Sequence, residues 1–178
     1  MTSNELNISP LITHEQIQKR ITEIADQLSQ QFAGQTIVAI CVLRGAFMFY
    51  ADLIRQIKAD IYCDFLGAAS YHNAMQSSGE VKLTLDLSHP LKGKKVLLVE
   101  DIVDTGLTMN YIKNLILARQ PESLTTVTLL EKPEALKVPC KLDHVGFRIS
   151  NTFVVGYGLD YQGHYRQLDY IAKVNDLN

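Results

Sequence analysis

Several things are scarce in this sequence, and each scarcity excludes something. Of 178 residues only three are cysteine, Cys41, Cys63 and Cys140. An odd number without C-x-x-C spacing rules out a disulfide framework and a cysteine-built metal site. Cys41 and Cys63 fall inside apolar runs, so the three are expected to be reduced, mostly buried thiols of a cytosolic protein, inert in catalysis. No strong charge of either sign is present: the formal net charge is -2 and the pI is near 6.2, which gives no general reason to bind nucleic acid. Lys92, Lys94 and Lys95 form one small basic cluster, too little for the ~6–10 phosphate contacts of a specific nucleic-acid binder. Long apolar stretches are missing too. The longest, near Ile37 to Leu43, is far below membrane-spanning length, and the opening MTSNELNISP has no basic region followed by an apolar stretch. A cytoplasmic location without membrane insertion is expected, so the glycosylation-like triplet Asn7-Ile8-Ser9 is accidental. The five histidines, His14, His72, His89, His144 and His164, form no metal-ligand pattern. His164, four residues after Asp160, is the one worth checking. A Walker A loop is absent, and Gly156-Tyr157-Gly158 begins like a dinucleotide fingerprint but lacks the remaining glycine.

What is present is an ordinary globular composition, 47% hydrophobic and 20% charged, enough for one core and one domain spanning 1–178. Thr13-His14-Glu15-Gln16 is a capping box that starts a helix. Ile17, Ile21, Ile24, Ala25, Leu28 and Phe32 then recur on one face, and Gly34 suits a left-handed C-cap. Thr36–Leu43 is short, apolar and β-branched, the pattern of a strand buried on both faces, and Arg44-Gly45 breaks it. A helix is predicted over Phe47–Ile57, strands over Ile61–Leu66 and Lys95–Val99, a helix over Leu107–Leu117, and strands over Leu124–Leu130, His144–Ser150 and Phe153–Gly156. Helices alternating with doubly buried strands predict an α/β domain: a central, mostly parallel sheet flanked by helices. Between Ala68 and Leu91 no period is sustained, and a stretch of that length inside a compact domain suggests a lid or hairpin.

The chemistry concentrates in VLLVEDIVDTGLT, Val96–Thr108. In open parallel sheets ligands bind beyond the carboxyl ends of the strands, where Glu100 and Asp101 are expected to emerge. Two carboxylates ~4 Å apart repel by ~4 kcal/mol at an effective dielectric of ~20, so three acids within five residues need a cation, hydroxyl donors or a shared proton. Asp104-Thr105-Gly106-Leu107-Thr108 then supplies small, hydroxylated residues at a helix start, where N–H groups and the positive dipole end suit phosphate. On chemistry alone three readings stand: a phosphorylated-ligand site, a magnesium site of the receiver type, and a turn merely capped by Asp104 and Thr105.

VLLVEDIVDTGLT closely resembles the phosphoribosyl pyrophosphate (PRPP) signature of the type I phosphoribosyltransferases. VLRGAFMF at Val42–Phe49, the EKP after the strand Leu124–Leu130, and FVVGYGLDYQGHYR at Phe153–Arg166 resemble the hypoxanthine-guanine branch of that family. The likeness runs from about Ile8 to the C-terminus. It implies the type I fold, with a small hood formed by the chain termini and a flexible active-site loop over about 69–91. It also implies purine salvage: transfer of the 5-phosphoribosyl group from PRPP to hypoxanthine or guanine, giving IMP or GMP and pyrophosphate, with Mg2+ as cofactor.

Each matching residue then has an implied role. Glu100 and Asp101 would hold the ribose hydroxyls, directly or through magnesium. Asp104, Thr105, Gly106, Leu107 and Thr108 would cradle the 5-phosphate, and Asp104 would be the general acid/base at purine N7. Lys132 would donate to the exocyclic O6, Phe153 would stack on the purine, and Val154 would offer its backbone carbonyl to an exocyclic amine. Asp160 would coordinate a second magnesium, Arg166 would bind pyrophosphate, and the Leu43-Arg44-Gly45 turn would present N–H groups to it, through a cis peptide. Ser70 and Tyr71 would open the loop that closes over the transition state. Two departures from relatives stand out: Arg44 where some carry lysine, and Leu107 where some carry lysine, which leaves only a backbone contact there. The family suggests a homodimer or homotetramer, and apolar Phe47, Met48 and Phe49 could lie at its interface. A rival reading, a PRPP- or nucleotide-binding regulator of the same fold acting on nucleic acid, needs a basic face that this composition does not supply. Adenine is disfavoured, since an ammonium cannot accept from an amine.

Overall fold

A computed structural model describes residues 6–70 and 81–176 of the protein. Among the described residues nine strands and three helices follow one another as β1 (Asn7–Ile12), α1 (His14–Gln31), β2 (Thr36–Leu43), α2 (Phe47–Ile54), β3 (Asp60–Ser70), β4 (Val81–Leu85), β5 (Lys95–Val103), α3 (Leu107–Leu117), β6 (Ser123–Glu131), β7 (His144–Arg148), β8 (Val154–Val155) and β9 (Ile171–Asp176), with one 3-10 turn over Pro133–Ala135.

The main sheet has the order β4-β3-β2-β5-β6-β7. All its pairings are parallel except β3 with β4. The continuous apolar runs of the central strands follow from burial on two faces. In β2, Ile37, Ala39 and Cys41 face the layer of α1 and α2, whereas Val38, Ile40 and Val42 face the layer of α3. In β5, Leu97 and Val99 take the first side and Val96 and Leu98 the second.

The capping box forms as predicted: the Gln16 N–H donates to Thr13 Oγ1 at 3.3 Å, and the Thr13 N–H to Gln16 Oε1 at 2.8 Å. Its periodic face, Ile17, Ile21, Ile24, Ala25 and Leu28, is buried. Gly34 has φ +68°, two residues past the Phe32 cap, and turns the chain into β2. A smaller sheet, β1-β9-β8, joins the two ends of the chain as a hood, packed through Val155, Ala172 and Val174 against tyrosines 161, 165 and 170.

Several boundaries differ from the sequence reading. Helix α2 stops at Ile54 rather than Ile57. Strand β7 ends at Arg148, and β8 begins at Val154. Part of the aperiodic stretch after Ala68 is strand: β3 continues to Ser70 and pairs with β4 as a hairpin. Cys63 is exposed and Cys140 half-buried; only Cys41 is buried. Phe49, expected near a subunit interface, is core, and Phe47 is the exposed member of that trio. No helix among the described residues is long and apolar enough to cross a membrane.

Candidate active site

Strand register brings the chemistry together. Strands β5 and β6 run parallel with Val103 opposite Glu131, so the next residue on each, Asp104 and Lys132, leaves the sheet at the same level. The Lys132 N–H donates to the Val103 carbonyl at 2.9 Å. The Lys132 ammonium sits 3.1 Å from Asp104 Oδ2, with the lysine side chain 7% exposed and the aspartate 47%. A buried ammonium needs a counter-charge, and Asp104 supplies it while keeping a face to solvent.

On the other flank Cys41 of β2 lies opposite Val99, which sets the Arg44-Gly45 turn beside Asp101. The contact is intimate: a Cβ added at Gly45 would lie 1.5 Å from Asp101 Oδ2. Glycine is needed here for close approach. The Leu43-Arg44 peptide is cis, as the resemblance implies.

The acids do not emerge after Val99 as expected. Strand β5 runs on to Val103, so Glu100 and Asp101 are strand residues, and Glu100 is paired in register with Thr128. Glu100 is therefore 7% exposed, and its Oε2 is a buried oxygen with no hydrogen-bond partner. Burial, then the neighbouring Asp101, pushes the Glu100 carboxyl well above the usual carboxylate range. The same surroundings push the Cys41 thiol beneath them up to about 12, by burial first and then by Glu100 and Asp101. That thiol is neutral and no nucleophile.

The helix start also differs from the simple-cap reading. The N-cap of α3 is Gly106, at φ 81°, with no side-chain cap. Its left-handed conformation is braced by the 136–140 segment, since a Cβ there would lie 3.0 Å from the Val138 carbonyl and 3.1 Å from Cys140 Cβ. Thr105 Oγ1 accepts from the Leu107 N–H at 3.4 Å, while its carbonyl accepts from the Lys137 N–H at 3.0 Å. Leu107 and Thr108 form the first turn of α3. The segment is thus a shaped turn directly beyond the strand that carries the acids.

The remaining predicted residues lie in 153–166. Phe153 is 39% exposed and meets Tyr161 edge-on, ring centroids 6.0 Å apart at 88°. Val154 is buried in β8, opposite Lys173. Asp160 Oδ1 pairs with Arg166 Nη2 at 2.7 Å, and Asp160 Oδ2 accepts from the Gly163 N–H at 2.7 Å. Arg166 Nη1 also donates to the Gly158 carbonyl at 2.6 Å. Both oxygens of Asp160 are thus already engaged, so a cation there competes with Arg166. His164 joins no metal cluster, and among the described residues no group of three or more metal-ligating side chains occurs. Ser70 ends β3; Tyr71 lies outside the described residues. A cavity of about 630 Å³ lined by Thr36, Tyr62, Lys95 and Glu122 opens at the amino-terminal ends of the strands, the end opposite the acids. Sequence reasoning missed Tyr157 and Asp52, which join this loop to α2; the failed glycine fingerprint around Tyr157 was the available signal.

The chain matches the phosphoribosyl transferase domain model over residues 9–162. It is 45% identical over 162 residues to a hypoxanthine-guanine phosphoribosyltransferase of Bacillus subtilis, covering 91% of this chain and 90% of that one. Against a hypoxanthine phosphoribosyltransferase of Escherichia coli it is 40% identical over 169 residues, covering 94% and 95%. Among solved structures, a hypoxanthine-guanine phosphoribosyltransferase from Bacillus anthracis superposes with a TM-score of 0.89 at 45% identity, covering 96% and 99%. A hypoxanthine phosphoribosyltransferase from Trypanosoma cruzi in complex with the product IMP does so at 0.87 and 39% identity, covering 98% and 97%. With a family model over most of its length and relatives matched nearly end to end, the chain belongs to the phosphoribosyltransferase family.

Proposed function

We propose that this enzyme transfers the 5-phosphoribosyl group of PRPP to the 6-oxopurines hypoxanthine and guanine, in the cytoplasm, releasing pyrophosphate. The observation that carries the reading is the pairing of Lys132 with Asp104 at 3.1 Å, on the strand end that also carries Glu100, whose buried Oε2 has no partner. An ammonium and a carboxylate side by side match the O6 and N7–H of a 6-oxopurine, an acceptor next to a donor.

On binding, the purine takes the place of the Lys132–Asp104 contact. Lys132 then donates to O6, and Asp104 accepts the proton from N7 as N9 bonds to ribose C1 and the bond from C1 to the diphosphate oxygen breaks. Positive charge at Lys132 offsets the negative character that O6 gains as the proton leaves. Thr105 to Thr108, with the Asp104 backbone, hold the 5-phosphate; Phe153 covers the base, and the Val154 carbonyl meets its 2-position. The Leu43-Arg44-Gly45 turn and Arg166 hold the diphosphate, and Asp160 would hold magnesium against it. The resemblance gives Ser70, at the end of β3, and Tyr71 the task of helping to exclude water from the sugar cation.

The donor set fits magnesium. Glu100 and Asp101 would offer adjacent hard carboxylate oxygens, one of them without a partner, and Asp160 would add one where Arg166 turns to the diphosphate; an open set of this kind suits an ion that keeps water and substrate oxygens in its shell. Magnesium, when bound, neutralises the diphosphate and the acids facing the ribose diol.

The exposed Phe47 of α2 and Phe65 of β3 support a homodimer or homotetramer. Light scattering on Phe47→Glu tests this, and an unchanged assembly mass removes it. The test of function is PRPP- and magnesium-dependent pyrophosphate release with hypoxanthine, guanine, xanthine and adenine. Release with the first two supports the reading. PRPP binding without release from any base points instead to a regulator of the same fold.

A further inference from the structure

The chain at Gly156–Gly158 takes three left-handed residues in a row, with φ of +98°, +48° and +100°. Glycine adopts this freely, but tyrosine does so only when its surroundings over-determine it. Those surroundings are visible. The Tyr157 N–H donates to the Leu168 carbonyl at 2.8 Å, the Gly158 N–H to the Arg166 carbonyl at 3.0 Å, and the Gly156 N–H to the Leu159 carbonyl at 3.0 Å. The Tyr157 side chain is 2% exposed and enters the core between α1 and α2, where its hydroxyl donates to Asp52 Oδ2.

Asp52 is itself fixed. It accepts from Gln18 Nε2 of α1 at 3.2 Å and pairs with Arg55. Burial pushes its carboxyl up, but hydrogen bonds from Tyr157, Gln18 and Arg55 outweigh that and hold it below the usual range. Burial, then Asp52, pushes the Tyr157 phenol up. The pair is therefore an ionised acceptor and a protonated donor across the working range of pH.

The other side of the turn meets the catalytic end of the sheet. A Cβ at Gly158 would lie 2.0 Å from the Gly45 carbonyl oxygen, so the two backbones touch. Gly45 in turn abuts Asp101, and the Gly158 carbonyl accepts from Arg166, which pairs with Asp160. A continuous set of contacts thus runs from Asp52 through Tyr157 and Gly158 to every group assigned above to the diphosphate.

We infer that Tyr157, anchored by Asp52, is a positioning residue for the diphosphate half of the site: its buried ring and hydroxyl fix the 156–159 turn, which seats the Arg44-Gly45 turn and aims Asp160 and Arg166. It rests on the assignment of those groups to the diphosphate. The purine groups do not hang on this peg: Asp104 and Lys132 stand at the ends of β5 and β6, and Phe153 and Val154 are held by the pairing of β8 with β9.

The test is steady-state kinetics in both directions on Tyr157→Phe and on the isosteric Asp52→Asn, each with a thermal melt. A hydrogen bond to a charged group corresponds to roughly tenfold or more in an equilibrium constant. The KM for PRPP and for pyrophosphate should therefore rise about tenfold in both variants, while that for hypoxanthine stays within about twofold. The double variant should be no worse than either single one, because both remove the same contact. A lowered melting temperature with both diphosphate KM values unchanged overturns the inference, as does an equal rise in all three KM values. Asp160→Asn and Arg166→Gln separate the inference from its basis. A rise in pyrophosphate KM there without one in Tyr157→Phe overturns the positioning role alone, and no rise there overturns the diphosphate assignment and the positioning role with it.

Discussion

Two stretches supply most of the proposed site, and they are held in opposite ways. Val96–Thr108 is fixed by regular structure: β5 lies between β2 and β6, so register alone sets Glu100, Asp101 and Asp104 against their neighbours. Phe153–Arg166 contains only two strand residues and is placed by contacts far away in sequence, Tyr157 to Asp52 and Gly158 to Gly45. The electrostatics differ likewise. Asp160 and Arg166 neutralise each other within the loop, whereas Glu100 carries an unsatisfied buried oxygen. The rigid half holds a buried acid whose ionisation is disfavoured, and the irregular half arrives with its charges paired. A sheet can hold a repulsive pair because its backbone bonds are independent of the side chains.

The largest expected effect lies in the rigid half. Asp104→Asn keeps shape but cannot take the N7 proton, so turnover should fall ~10²–10⁴-fold with PRPP binding largely kept; full activity removes Asp104 from the mechanism. Next comes the contact between the halves. Gly158→Ala places a methyl group 2.0 Å from the Gly45 carbonyl at a φ of +100° and should weaken PRPP binding by about tenfold or more, measured by calorimetry. Unchanged affinity means that the halves are not mechanically joined.

Glu100→Gln sharpens the electrostatic contrast. Removing one of two adjacent carboxylates should raise the melting temperature of the ligand-free protein and reduce the magnesium dependence of PRPP binding. A lower melting temperature would show that Glu100 is compensated after all. The smallest effect concerns His144, far from both halves. Burial lowers its pKa from 6.5, with Arg20 also lowering it and Asp143 opposing; Gln27 and Gln31 bond its ring. A depressed folded-state value means that its contribution to stability is present above the unfolded value and is lost as pH falls through the folded one. His144→Gln should therefore flatten the decline in melting temperature below about pH 6.5, and an unaltered pH profile contradicts this.

The same division decides what could be read from the residues alone. The capping box, the periodic face of α1 and the doubly buried runs of β2 and β5 are local patterns, and they were legible. The extension of β5 to Val103 was not, since acids inside a strand run against β propensity and it is the pairing of Glu100 with Thr128 and of Ile102 with Leu130 that carries the strand past them. Gly106 rather than Asp104 or Thr105 caps α3 because the 136–140 segment closes over it, a contact 30 residues away in sequence. The exposure of Cys63 and the burial of Phe49 depend on which face of β3 and α2 meets the core. The residues of 153–166 were found by resemblance, and their setting, above all the Tyr157–Asp52 anchor, is tertiary throughout.

On the proposed function, Glu100 and Asp101 are tolerated at the end of the sheet because a diphosphorylated sugar and divalent ions neutralise them. Isothermal titration of PRPP into the purified protein, with and without saturating magnesium, tests it most directly. Saturable binding at one site per chain that requires magnesium is the predicted result. No measurable affinity for PRPP in saturating magnesium would contradict the account.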